Sequence, residues 1–582
     1  MKCNGLFWLS LSVAASSCAP PAPKETADLI VTGGRVYTLS WDEPALDGTP
    51  SPSAPRSAEG WRPDAEAIAV KDGNVLFVGT AEEAGRYAGE STRILDVPGA
   101  TVIPGLIDSH THVAGLGELE SQVSLFGVAT EQEAVQRVVD AASNVSEGAE
   151  GKWIVARGWD DSDWASRYPT WDLLSEKFPR NPVVMQSLHG FAVWGNKKAF
   201  EAAGIDENTP EPSGGRILRN ARGNLTGIVL DRAGRLLTDA IPEPTPEQFR
   251  SYVRAGLERM ARDGYVAVHE AGVDRSLMTA LSSLEAEGSL PIRVYAMLSA
   301  RDGDLCREWL QKGPDRESGG RLITRSVKAY YDGALGSRGA RLLEDYSDMP
   351  GHKGTSGGEY GFDMELVAEM MRAGFQVGVH AIGDAGNRET LDFLQSVVDA
   401  NPETRDLRHR IEHAQVVHPA DFARFSSLNV IASMEPPHCA EDQRWAEARL
   451  GPERVKGAYA WRSLRKSGAR LAFNSDLAGS DHDIFYGLHS AITRKTRDQT
   501  PPEGWYPEER VTSEEALRGY TVWNAYAAHQ ERETGTLAPG KWADITIMDI
   551  DPLAVGETAA GKLFEGKIVA TIVGGEVVFE RD

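Results

Sequence analysis

Several short apolar runs in this chain each end in a residue type that can hold a metal ion. The first is Val102-Ile103-Pro104-Gly105-Leu106-Ile107-Asp108-Ser109-His110-Thr111-His112. It reads as a buried strand. Side chains alternate faces along a strand, so His110 and His112 point the same way. A His-x-His pair alone is weak, since paired histidines can simply pack. Phe375-Gln376-Val377-Gly378-Val379-His380 repeats the pattern, as do Arg410-Ile411-Glu412-His413 and Arg470-Leu471-Ala472-Phe473-Asn474-Ser475-Asp476. Ser326 to Gly333 is a further short strand carrying Lys328. Helical patterns at 365–373, 389–400 and 420–426 separate these runs. Alternating strands and helices predict a parallel sheet of βα units. A (β/α)₈ TIM barrel, an α/β fold, gathers every strand end at one rim. That fold explains how ligands so distant in sequence could meet.

The combination resembles the amidohydrolase superfamily of metal-dependent TIM-barrel hydrolases. More narrowly, it resembles the group that includes N-substituted formamide deformylase. The matching segments are Pro104 to His112, Lys328 to Arg338, Val379 to Asp384, His409 to His413 and Asn474 to Asp476. The resemblance implies that His110 and His112 hold one metal and that His380 and His413 hold a second. Asp476 would coordinate the first and serve as catalytic proton carrier. Lys328 would bridge the two as a carbamate, because a buried lysine near metals loses its proton and can take up carbon dioxide. A salt bridge to Asp332 or Glu359, or a supporting role behind the ligands, is the alternative for Lys328. Zinc, one ion or two, suits this donor set best; iron, manganese or nickel would also fit. Metal-bound water has its pKa lowered to about 7, so hydroxide could attack a carbonyl at neutral pH. The expected reaction is hydrolysis of a non-peptide C–N bond in an amide, formamide or cyclic amide. The competing readings are a metal- or ligand-binding protein on a hydrolase scaffold, and a lyase or isomerase of the same fold.

Composition narrows the partners. The 582 residues carry a net charge of −24, which repels phosphate backbones and argues against nucleic acid. A small-molecule substrate is expected, and oligomerisation is left open. Lys2, the apolar stretch Leu6 to Ala15 and Ala15-Ser16-Ser17-Cys18 read as a lipoprotein-like signal peptide over 1–18, followed by a Pro-rich tether over 19–26. The chain is thus expected in a bacterial cell envelope, lipid-anchored or soluble in the periplasm, with membrane contact only through that anchor. Cys306 and Cys439 are expected as free, buried thiols.

Residues 27–103 and 533–582 alternate like antiparallel strands, with turns at Asp72-Gly73 and Gly574-Gly575. Neither end has enough strands alone, so together they predict a small β-sandwich. The barrel then occupies 104–532, with a rim insertion at about 153–231. Candidate substrate contacts are Trp159 and His189 in the insertion, His269 at a strand end, Arg338 after Gly336-Ser337, and His438 after the seventh strand. Packing within the insertion is the alternative for Trp159, and pinning a loop to an acidic neighbour the alternative for Arg338.

Overall fold

The computed structural model describes residues 25–143, 151–160, 164, 168–188, 190–317 and 320–581. The segment expected to be a signal peptide, with Cys18, most of the expected tether, and His189 lie outside the described residues. Eight parallel strands form the central sheet: β1 (Leu106–Thr111), β2 (Tyr265–Val273), β3 (Arg293–Ser299), β4 (Leu322–Tyr330), β5 (Gln376–Ala381), β6 (Arg410–His413), β7 (Ile431–Met434) and β8 (Arg470–Phe473). Their order around the sheet follows the chain. Helices such as Pro246–Arg262 and Asp384–Ala400 join successive strands and cover the outside. This is the layout of a TIM barrel.

The first and last strands meet through the bridge Thr111–Leu477. Asn524 stitches the same seam, its amide donating to the carbonyls of Ile107 at 2.6 Å and Phe473 at 2.7 Å. The barrel is therefore nearly closed, and its strand ends converge on one mouth.

A second, six-stranded sheet is inserted between β1 and β2. It runs in the order Val123–Ser124, Ile154–Trp159, Val183–Ser187, Ala192–Gly195, Leu225–Asp231, Gly215–Arg219. Its edge strand Val123–Ser124 lies well before residue 153, where sequence patterning places the start. Apolar clusters around Trp159, Trp194 and Met185, and around Val193, Phe200 and Leu237, fill its two faces.

The two chain ends build two further sheets. One pairs Leu29–Thr32, Ala67–Lys71, Asn74–Gly79 and Arg93–Asp96. The other joins Arg35–Val36 and Thr101–Pro104 to Ile545–Met548, Ile568–Val573 and Glu576–Glu580. One apolar cluster, including Val31, Ile68, Val102, Ile545 and Ile572, draws on both. Asp72-Gly73 and Gly574-Gly575 both have two consecutive positive φ angles, as a two-residue hairpin turn with right-handed strand twist requires. Cys306 and Cys439 are buried and unbridged. No helix among the described residues is long and apolar enough to cross a membrane.

Candidate active site

Alternation places Asp108 and His110 of β1, Ser326 and Lys328 of β4, and Arg410 and Glu412 of β6 on the interior face. All six are buried, and His110, Lys328, Arg410 and Glu412 form a network. His110 Nδ1 lies 2.7 Å from Glu412 Oε2. Its other nitrogen, Nε2, lies 2.9 Å from Lys328 Nζ. Nδ1 donates to the carboxylate, so Nε2 keeps its lone pair at the mouth. Burial, then the charge of Lys328, holds His110 neutral, with a pKa lowered to about 4. Lys328 is itself pulled down to about 8 by burial, against the carboxylates of Glu412, Asp476 and Glu435. Glu412 stays ionised: burial would raise its pKa, but Arg410 and His110 outweigh that. The Arg410 guanidinium approaches both carboxylate oxygens, Nε to Oε1 at 2.7 Å and Nη2 to Oε2 at 3.0 Å.

His112 and Asp476 complete one side of the mouth. His112 Nε2 is 3.2 Å and His110 Nε2 is 3.7 Å from Asp476 Oδ1. Burial would raise the Asp476 carboxyl, but the hydrogen bond from His112, with the His110 and His413 imidazoles close by, holds it well below the usual range. His380 and His413 form the other side, their rings 4.4 Å apart. The His413 ring is 5.2 Å from that of His110. Simple alternation would turn His413 away from Glu412, its neighbour. The backbone avoids this by entering the left-handed region at His413 (φ 73) and Ala414 (φ 40). Asp476 shows the same device at the end of β8 (φ 52). Such strained backbone clusters at functional sites.

Buried carboxylates clamp the backbone beside these ligands. Glu270 of β2 accepts from Thr111 Oγ1 at 2.8 Å and Val113 N at 3.1 Å, on either side of His112. Asp332 accepts from Ile382 N and Gly383 N, each at 2.9 Å, just after His380. Asp108 accepts from the Ser475 hydroxyl at 2.6 Å, just before Asp476. The amide of Asp476 donates to the His110 carbonyl at 3.1 Å. Lys328 thus sits against His110 rather than against Asp332.

The other sequence-derived candidates divide. His438 lies at the mouth, partly exposed, with its ring stacked at 6.5 Å from His413. Trp159 does not reach the site: its indole N–H donates to the Met185 carbonyl at 2.8 Å, and Trp164 and Trp194 cover its faces. An apolar ring inside the inserted sheet's core has nothing left to offer a substrate. His269 faces the interior beneath His110, not the mouth. Its Nδ1 accepts from Arg410 Nη1 at 3.0 Å and its ring packs on Tyr295. Arg338 forks onto Asp348 at 2.8 and 3.1 Å, pinning its loop. His189 lies outside the described residues.

Sequence patterning assigned no role to Arg410, Glu412, Asp108 or Glu435. One signal was available: Arg410 and Glu412 share the face of a short barrel strand, and neither can be buried there without a partner. Gly378 of β5 makes room for that pair. A Cβ there would lie 2.5 Å from Met297 Cε and 2.6 Å from Glu412 Oε1. Met297 can move; Glu412 is fixed by Arg410 and His110. Gly378→Ala is therefore expected to destabilise by about 1–3 kcal/mol, the usual range for overpacking. It should also lower metal content by tilting His110. Denaturant unfolding and metal analysis of the purified variant check both.

The residues fit a divalent metal. His110, His112 and Asp476 each offer a ligand atom, all within 4.8 Å of one another; His110, His413 and Glu435 do so too, as do His413, His438 and Asp476. His380 Nε2, His413 Nδ1 and both Glu435 oxygens are buried without hydrogen-bond partners. Burial holds His380, like His110, neutral and so able to ligate.

Comparison with known proteins agrees with this geometry. Residues 93–579 match the amidohydrolase family profile. The chain is 31% identical to Protein LONG AFTER FAR-RED 3 of Arabidopsis thaliana, over 99% of this chain and 95% of that protein. It is 27% identical to N-substituted formamide deformylase of Arthrobacter pascens, over 89% of this chain and 95% of that one. Among solved structures, an uncharacterised metal-dependent hydrolase from Pyrococcus furiosus superposes with a TM-score of 0.67 at 27% identity, covering 90% of this chain and 99% of that one. The chain belongs to the amidohydrolase family and is a hydrolase acting on carbon–nitrogen bonds.

Proposed function

We propose that this enzyme hydrolyses a non-peptide amide, formamide or cyclic amide at a zinc-type centre of one or two ions. The observation that carries the reading is the convergence of His110, His112, His413 and Asp476 within ligand reach at the barrel mouth. His110, His112 and Asp476 would hold one ion, and His380 and His413 a second. A bound divalent ion supplies Lewis acidity to a carbonyl and lowers the pKa of a water. Asp476 accepts the proton that the attacking water releases and passes it to the leaving nitrogen. Glu412 keeps His110 in the tautomer whose Nε2 is free. The A. pascens relative, a deformylase of N-substituted formamides, supports a formamide or small amide as substrate class. His438 is the candidate to contact it.

Lys328 is proposed to be carboxylated: its neutral amine adds carbon dioxide, forming a carbamate and releasing one proton. Burial and a pKa lowered to about 8 supply enough free amine at neutral pH. Protein exchanged into ¹³C-bicarbonate with zinc is expected to show one slow-exchanging carbamate signal that Lys328→Ala lacks. No difference between the two spectra would remove the carbamate. For the function itself, chelator-stripped and zinc-reloaded protein are compared on N-formyl amines, N-acyl amines and cyclic amides. Activity is expected to vanish on stripping and return on reloading. Equal turnover by the stripped protein would refute the metal-dependent reading.

We also propose that the two sheets at the chain ends act as one β-sandwich, supported by their common apolar cluster. The N-terminal sequence supports export to a bacterial cell envelope, lipid-anchored through Cys18 or released into the periplasm.

A further inference from the structure

Glu435 follows β7 in the stretch Ser433-Met434-Glu435-Pro436-Pro437-His438. Ser433 faces the barrel interior, where its hydroxyl meets Arg410 at 3.0 Å and Asn474 at 3.1 Å. Glu435 lies two residues on, and alternation turns it to the same side. Its backbone is extended, at φ −105 and ψ 102, as the residue before a proline prefers.

Glu435 also occupies the residue before the helix Pro436–Asp442, a position where a carboxylate would ordinarily accept a backbone N–H of the first turn. It makes no such bond. Pro436 and Pro437 carry no N–H, which removes two of the donors a cap would satisfy. The carboxylate is thus free to turn inward. There it is fully buried, and neither oxygen has a hydrogen-bond partner. Oε1 lies 3.2 Å from His413 Nδ1, and Oε2 lies 3.7 Å from His438 Nδ1. His413 Nδ1 is likewise buried without a hydrogen bond.

A buried carboxylate that accepts no hydrogen bond and faces only the His413 and His438 imidazoles is a costly arrangement that a bound cation would relieve. The imidazole and carboxylate are close but not aligned as donor and acceptor. That is the relation of two ligands that share an ion, since ligand bonds of about 2.1 Å leave donor atoms roughly 3–4 Å apart. His110, which would hold the neighbouring ion, has a ligand atom within the same 4.8 Å, so Glu435 lies beside the centre.

We infer that Glu435 is itself a metal ligand, an anionic donor from the seventh strand on the His413 side of the centre. The inference rests on the metal-centre reading above. It adds a carboxylate to a side otherwise built from histidines, which strengthens binding and favours harder cations.

The test separates ligation from mere positioning. Glu435→Gln keeps the size of the side chain and an oxygen that can accept from an imidazole N–H, so it would still orient His413. It lacks the anionic donor. The chelator-stripped full-length protein is titrated with zinc against a chromophoric chelator, and separately loaded with cobalt(II) for its visible spectrum. Glu435→Gln is expected to lose one equivalent of metal, or at least about tenfold in affinity for it, with an altered cobalt spectrum. Should this variant not fold, as judged by circular dichroism, Glu435→Asp takes its place: its carboxylate is drawn back by one methylene from the shared point, so weakened metal affinity and an altered cobalt spectrum are expected. Wild-type stoichiometry, affinity within about threefold and an unchanged cobalt spectrum would overturn the inference while leaving the metal centre standing. Failure of the wild-type protein to bind any divalent ion would instead bring down the metal centre itself.

Discussion

Asp476→Asn is expected to lower turnover by about 10³-fold or more, in the upper part of the range for loss of a positioned proton carrier. The carboxylate has two duties in this structure. It offers Oδ1 to the same point as His110 and His112, at 3.7 and 3.2 Å. It is also held ionised, and so ready to accept a proton, by those histidines and His413. An amide can do neither as well. The fold should survive, because asparagine tolerates the left-handed backbone that residue 476 adopts at φ 52. Its oxygen can still accept a hydrogen bond from His112. Steady-state rates on the best N-formyl or N-acyl substrate, with metal content measured on the same samples, check this. Turnover within tenfold of wild type would remove Asp476 from the chemistry. A wild type that hydrolyses nothing, with Asp476→Asn altering only ligand affinity, would favour the binding-protein alternative.

Arg410→Met is expected to cost about 3–5 kcal/mol of stability, the range for removing one partner of a buried ion pair. Arg410 is fully buried and faces Glu412, the Ser433 hydroxyl and His269 Nδ1. Removing it leaves the Glu412 charge in the barrel interior with His110 as its remaining close partner. The double variant Arg410→Met, Glu412→Leu should recover much of that loss, because it removes both charges together. It should not recover activity, since His110 Nδ1 then has no carboxylate to fix its tautomer. Urea unfolding of the two variants, alongside turnover, distinguishes these outcomes. If Arg410→Met is as stable as wild type, the network is not a structural element of the barrel.

The barrel was legible in the sequence because its signals are short-ranged. Strand-like runs ending in His380, His413 and Asp476, separated by helical patterns, need only alternation and periodicity to be read. The same holds for the hairpin turns at Asp72-Gly73 and Gly574-Gly575, where positive φ at two positions selects small or turn-forming residues locally. The candidate ligands followed from residue type and strand-end position. Trp159 shows where such reasoning stops: a tryptophan in a rim insertion suits a pocket or a core equally, and only its neighbours Trp164, Trp194 and Met185 assign it to the core.

The amino-acid order alone determined which chemistry the strand ends could support and that a closed sheet would gather them. Tertiary structure alone decided who faces whom. Glu412 meets His110 across 302 positions of chain, and Lys328 meets His110 across 218. Arg338 is taken by Asp348, and Glu435 is left facing His413. A charge or lone pair acquires its role from the atoms within a few ångströms of it. In a closed barrel those atoms come from strands far apart in sequence, so their identity is fixed only when the cylinder shuts.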